Sequence, residues 1–244
     1  MKSLNNYISE GGGFFNNVRA DKEAMKDSVI TTILDNMAEI NKISNNACNF
    51  LVCNFGCNLA NIDKKSIDEY FKVGDNMLMQ SNSKTKKHGL SVKIGYGGKW
   101  NKECLKKLAD TLELFDPNTT TIFLRVNEKD SGVSMKDITT TLKGRLPKII
   151  FSITFHQCNI EDWRWLDGVD KVLNFDMYNS SIKSFKGIQP KVDNIIIDGD
   201  TIFADVNYFP HITRTVMLAH DCVFQNNLSV VKDNITSDAR VYLN

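Results

Sequence analysis

Four stretches align without gaps from Ile150, Val172, Val192 and Thr213: IIFSITFHQCNI (149–160), VLNFDMYNSSI (172–182), VDNIIIDGDTI (192–202) and TRTVMLAHDCV (213–223). In each, four apolar-biased positions and one small polar or cysteine position fall at the same offsets. The first gives Ile150, Ile153, Phe155, Cys158 and Ile160, and the second Val172, Phe175, Met177, Ser180 and Ile182. The third gives Val192, Ile195, Ile197, Asp200 and Ile202, and the fourth Thr213, Val216, Leu218, Asp221 and Val223. The central residues Ile153, Phe175, Ile195 and Val216 are 22, 20 and 21 positions apart. A returning arm repeats with them, because Leu166, Ile188 and Phe209 follow Ile160, Ile182 and Ile202 by 6, 6 and 7. One strand and its turn cannot bury these apolar side chains, whereas stacked copies bury a continuous core. The small position is expected at the tight turn after each strand, where a polar side chain bonds free backbone groups.

Working outward, the period lengthens to about 30 residues upstream. Ser91–Gly95 is expected as a strand followed by a helix with Leu105, Leu108, Leu112 and Phe115 on one face. Thr121–Val126 is a second strand, followed by a helix carrying Met135, Ile138, Leu142 and Leu146. The last strand, Arg240–Leu243, closes the stack. In spacing, though not in leucine content, residues 89–244 resemble the leucine-rich repeat family. The resemblance implies an α/β chain with a leucine-rich-repeat-like solenoid of parallel strands. A right-handed β-helix is the rival fold, but it would lack the helices after the first two strands.

Residues 21–88 read as a small helical or α+β cap. Asp21 is a plausible N-cap for a helix with Met25, Val29, Ile33, Met37 and Ile40 at helical spacing. Phe50–Phe55 reads as a short strand, Ser66–Met79 as a second helix, and Ser81–His88 as a polar linker. Residues 1–20 form a head segment punctuated by Gly11, Gly12 and Gly13. Within it, MKSLNNYISE-G places Leu4, Tyr7 and Ile8 on one face of a short helix, followed by Ile8-Ser9-Glu10 and then Gly11. This string resembles the capsid-targeting peptide of internal head proteins in tailed bacteriophages. The resemblance implies scaffold docking and proteolytic processing after Glu10, with Ile8, Glu10 and Gly11 as the recognised residues. It implies a location in the phage head or the host cytoplasm.

The composition narrows function further. Lys+Arg 30 against Asp+Glu 29 gives a net charge of +1, which argues against specific nucleic-acid binding. No apolar run reaches the roughly 18 residues that span a bilayer, and no secretory signal peptide is expected. Six cysteines without a paired framework read as reduced thiols, and Cys48, Cys53 and Cys57 match no zinc spacing. Gly95, Gly97 and Gly98 read as a tight turn, since the lysine-serine/threonine pair of a phosphate loop is missing. Cofactors and metals are not expected.

The candidate site is therefore a surface. Residues between the inward positions face the concave side, where a row of Arg125, Thr154, Asp176, Ile196 and Met217 is expected, flanked by Ser152, Asn174, Asn194 and Thr215. His156, Tyr178 and Asp198 share one offset from the central residues and join that face. Ile196 and Met217 exposed together favour a protein partner. Of Trp163 and Trp165, one is expected inward and the other exposed. No nucleophile accompanies His156, so a non-enzymatic, protein-binding role is expected. A structural virion component docking through its N-terminal segment is the alternative.

Overall fold

The computed structural model describes residues 14–44, 48–53, 57–58, 87–115, 117–118 and 120–243. The N-terminal string with Ile8, Glu10 and Gly11, the expected Ser66–Met79 helix and most of the expected linker lie outside them. The first helix, α1 (Phe14–Ser44), begins seven residues before the expected N-cap at Asp21. No glycine or proline occurs between Phe14 and Phe55, so a helix once nucleated propagates straight through Asp21. Ile33, Met37 and Ile40 are buried, as their spacing implies. Asn41 ties α1 to strand β1 (Cys48–Cys53) by donating to the Cys48 carbonyl and accepting from its N–H, both at 2.8 Å.

Strand β2 (Cys57–Asn58) pairs antiparallel with β1, and β1 antiparallel with β3 (Lys87–Ile94). Lys87 and His88, expected in the linker, are thus already strand. From β3 onward every neighbour in the large sheet is parallel. Helix α2 (Lys102–Glu113) starts at Asn101, whose side chain accepts from the Cys104 N–H, and it buries Leu105, Leu108 and Leu112. Strand β4 (Thr120–Asn127) runs into the single turn α3 (Glu128–Ser131). Helix α4 (Met135–Leu142) follows, started by a capping box between Ser134 and Asp137. Both helices expected after the first two parallel strands are therefore present. After them come β5 (Ile149–His156), β6 (Asn159–Ile160), β7 (Lys171–Tyr178), β8 (Ser181–Ile182), β9 (Lys191–Ile197), β10 (Ile202–Phe203) and β11 (Ile212–Leu218). Helix α5 (Leu228–Lys232) and β12 (Arg240–Leu243) end the described chain.

The chain is α/β: seven parallel strands in the order β3-β4-β5-β7-β9-β11-β12, and a second parallel sheet of β6, β8 and β10. The strands follow one another in sequence order, so the sheet has no switch point at which α/β folds form a ligand crevice. Helices and short strands cover one face. Among the described residues no helix is long and apolar enough to cross a membrane.

Within this frame the repeat register needs three corrections. In the fourth repeat Ile212, and not Thr213, pairs with Val192 and is buried, and a bulge separates it from the Thr215–Asn194 pair. Secondly, the turn position is filled by Thr201 and Cys222, both buried, while Asp200 and Asp221 are exposed. The third and fourth repeats carry one extra residue here: four positions separate Ile197 from Thr201 and Leu218 from Cys222, against three in the earlier repeats. Thirdly, the apolar position after the turn shifts by one, while Phe209 keeps its expected place in the core. Phe203 pairs with Ile182 and is buried, whereas Ile202 is 68% exposed; Phe224 likewise replaces Val223 in the core.

The reason is visible in the core. A column of rings, Phe155, Trp163, Phe175, Phe185, Phe203, Phe209 and Phe224, runs up the stack with neighbouring centroids 4.9–6.1 Å apart. A phenylalanine in that column buries more apolar area than an isoleucine or valine one position earlier. Trp163 and Trp165 are both buried, at 1% exposure, which corrects the expectation of one exposed tryptophan. Trp163 donates to the Ser184 carbonyl at 2.6 Å, and its ring stacks on Phe185. Beside the column the turn ladder closes its own polar groups. The Cys158 N–H donates to Ser180 Oγ at 3.2 Å, and the Ser180 hydroxyl donates to the Tyr178 carbonyl at 2.8 Å. Cys158 and Cys222 are buried free thiols, and burial pushes the Cys158 pKa up to about 12, so it is an inert core group.

Candidate binding face

The strands carry three register rows on the face opposite the helices. The first is Ser91, Phe123, Ser152, Asn174, Asn194, Thr215 and Arg240. The second is Lys93, Arg125, Thr154, Asp176, Ile196, Met217 and Tyr242. The third, at the carboxyl ends of the strands, is Asn127, His156 and Tyr178. All of the expected row, from Arg125 to Met217, is thus brought into a single line. Sequence reasoning missed both its ends, Lys93 and Tyr242, which follow from extending the same register. It also missed Tyr96, which reaches this region from the Gly95–Gly98 turn and belongs to no repeat. That turn is the tight one expected: Gly95 and Gly97 have φ of 82° and 92°. A Cβ on Gly95 would lie 2.0 Å from the Asn127 carbonyl oxygen, which only glycine permits.

Hydrogen bonding divides these residues into two groups. The first is occupied in holding the sheet. Strands β5, β7 and β9 keep inward positions three apart, as Ile150 and Ile153 do, and Phe151 and Leu173 between them drop out of the pairing register, so their carbonyls need another donor. Asn174 supplies one to the Phe151 carbonyl and Asn194 one to the Leu173 carbonyl, each at 3.0 Å, and Asn194 also donates to Asn174 Oδ1. Asp198 is committed too: it accepts from the Asn179 N–H at 3.0–3.1 Å and from the Thr201 hydroxyl at 2.6 Å. Asn179 has φ of 49°, so Asp198 locks a left-handed turn.

The second group has functional atoms left over. Arg125 is exposed and forms no ion pair among the described residues. Asp176, half-buried, has its pKa raised by burial, against the opposing hydrogen bond from the Thr154 hydroxyl and the charge of Arg125. Burial also raises Tyr178, with the charges of Asp176 and Asp198 adding and that of Arg125 opposing. Tyr96 is raised by burial, and it feels Arg125 and Tyr178 as neighbours. His156 Nδ1 and Asn127 Oδ1, on paired positions, are buried without a hydrogen-bond partner. At the other end of the row Ile196 and Met217 are half-buried and Tyr242 is 43% exposed, three apolar groups side by side.

Chemistry outside this face is sparse. Among the described residues no cluster of three histidine, cysteine or acidic groups is placed to hold a metal. A cleft of about 730 Å³ lies at the amino ends of β5, β7 and β9, beside Lys148, Lys171, Lys191 and Asp170. Two of its lysines are already paired, Lys148 with Asp170 at 3.9 Å and Lys171 with Asp193 at 2.8 Å. Comparison with protein-family models, with curated proteins and with solved structures finds no match for the chain.

Proposed function

We propose that the chain is a non-enzymatic protein-binding protein, a leucine-rich-repeat-like solenoid whose open sheet face, with Arg125, Thr154, His156, Asp176, Tyr178, Ile196 and Met217, engages a protein partner. The observation that carries this reading is the register row itself. Among the described residues the helices lie on one side of the parallel sheet, and the other side presents Ile196, Met217 and Tyr242 together, next to a polar stretch. Although Ile196 and Met217 are half-buried and not exposed as expected, an apolar group on an open face supports a contact surface. Among the described residues the sheet has no switch point, and the Cys158 thiol near His156 is buried and held protonated, which supports binding over catalysis.

The chain is further proposed to be phage-encoded, packaged in the head after cleavage following Glu10, and delivered to the host. Support for this part is the N-terminal string MKSLNNYISE-G alone. Two experiments test the two parts separately. A photo-crosslinking residue at Met217 is expected to trap a protein partner in cells that produce the chain, and one at the exposed Ile202 on the opposite side is not. Equal trapping at both would reject the open face. Intact mass measured on protein from purified particles is expected to show loss of residues 1–10; a full-length chain in the particles would reject cleavage after Glu10 in favour of a structural virion component, and none in the particles would reject packaging.

A further inference from the structure

The second register row is polarised in a way that specifies its occupant. Lys93 and Arg125 sit directly opposite each other on β3 and β4. Like charges at opposed positions destabilise a strand pair, and neither has a carboxylate within 4 Å among the described residues. Thr154 follows, then Asp176 at its half-buried position, then the apolar trio Ile196, Met217 and Tyr242. Along one line the face therefore reads cationic, polar, anionic, apolar. We propose that it binds an extended acidic segment of a partner protein, with a carboxylate on Lys93 and Arg125 and an apolar side chain on Ile196 and Met217. This rests on the protein-binding reading above and adds the partner's chemistry.

Strand spacing sets the length of that segment. Strands are about 4.8 Å apart, so Arg125 lies roughly 14 Å from Ile196 and roughly 19 Å from Met217. An extended chain rises about 3.3 Å per residue, so the acidic residue and the apolar anchor are about 4–6 positions apart. Between them the segment passes Asp176, where a second acid would be repelled, so neutral or basic residues belong there.

The test is a random 12-residue displayed-peptide selection against the full chain, followed by fluorescence anisotropy with the selected peptides. Selected sequences are expected to pair Asp or Glu with an apolar residue about 4–6 positions away. The double variant K93E/R125E is expected to weaken them about tenfold or more and, when itself used for selection, to enrich Lys and Arg. M217E is expected to weaken them as well, and K232E, on α5, to leave them unchanged. Loss with M217E but not with K93E/R125E, or selection without acidic enrichment, overturns the acidic segment while keeping the protein-binding face. Peptides insensitive to both, or none recovered, overturn the face itself. Equally tight binding of a single-stranded oligodeoxynucleotide through Lys93 and Arg125 overturns the inference in favour of a phosphate ligand.

Discussion

The one-residue shift after β9 makes a sharp prediction, because it exchanges the roles of two adjacent side chains. Phe203→Ala removes a ring that is 92% buried and packs 5.0 Å from Phe185 and 4.9 Å from Phe224. Transfer of a phenylalanine side chain is worth about 1.5–3 kcal/mol, and each ring pair adds about 0.5–1.5 kcal/mol. A loss of about 3–5 kcal/mol is expected, typical of a buried aromatic truncated to alanine. Ile202→Ala removes a side chain that is 68% exposed, and surface changes of that kind stay within about 0.5 kcal/mol. In urea unfolding followed by far-UV circular dichroism, a slope of about 3 kcal/mol/M turns these values into midpoint shifts of about 1–1.7 M and under about 0.2 M. Equal shifts for the two variants, or a larger one for Ile202→Ala, would show that the unbroken sequence alignment is right and the inserted residue wrong.

Three further outcomes follow from the polar groups. Ser180→Ala leaves the buried Cys158 N–H and Tyr178 carbonyl without their hydroxyl partner; a loss of about 1–3 kcal/mol is expected in the same urea assay, with Ser181→Ala, on an exposed neighbour, as the neutral control. Asp193 is buried at 2% exposure, yet hydrogen bonds from Lys171 and Thr213 and the charges of Lys171 and Arg214 outweigh that burial and lower its pKa. Its folded value lies below the unfolded one, so its contribution is complete above about pH 4 and is lost as pH falls through the lowered folded value. Asp193→Asn is expected to cost about 1.5–3 kcal/mol at pH 7 and progressively less in acid; a pH-independent cost would exclude the ion pair as its source. Asp176 has the opposite sign, since burial raises its pKa and the carboxylate costs stability above its unfolded value. Asp176→Asn should raise Tm at pH 7 and not at pH 3, and a calorimetric trace showing no gain at pH 7 would count against a strained recognition carboxylate.

Much of the fold was legible because strand periodicity and repeat period are both written in side-chain volume. Ile153, Phe175, Ile195 and Val216 follow the alternation of buried strands, and they stack as their spacing implies. The row from Arg125 to Met217 was legible for the same reason, since residues two apart on a strand share a face. Asn174 and Asp198 carried no such signal of their duty. An asparagine on an open face looks like a contact residue, and only the gap in the strand pairing at Phe151 shows which carbonyl it serves. Tyr96 was hidden because its position depends on a glycine turn and not on a period.

By itself the sequence determined the parallel α/β stack, the two strand-helix units before the shorter ones, and the row from Arg125 to Met217 on the open face. Each follows from apolar periodicity, a local property that survives however the copies are joined. The tertiary structure alone decided the register beyond Gly199. There an added residue let Thr201 complete the turn ladder and Phe203 enter the ring column, and that choice depends on neighbours about 20 residues away in the chain. It also decided which polar groups were left over for a partner, because hydrogen bonds from adjacent strands had already taken the rest.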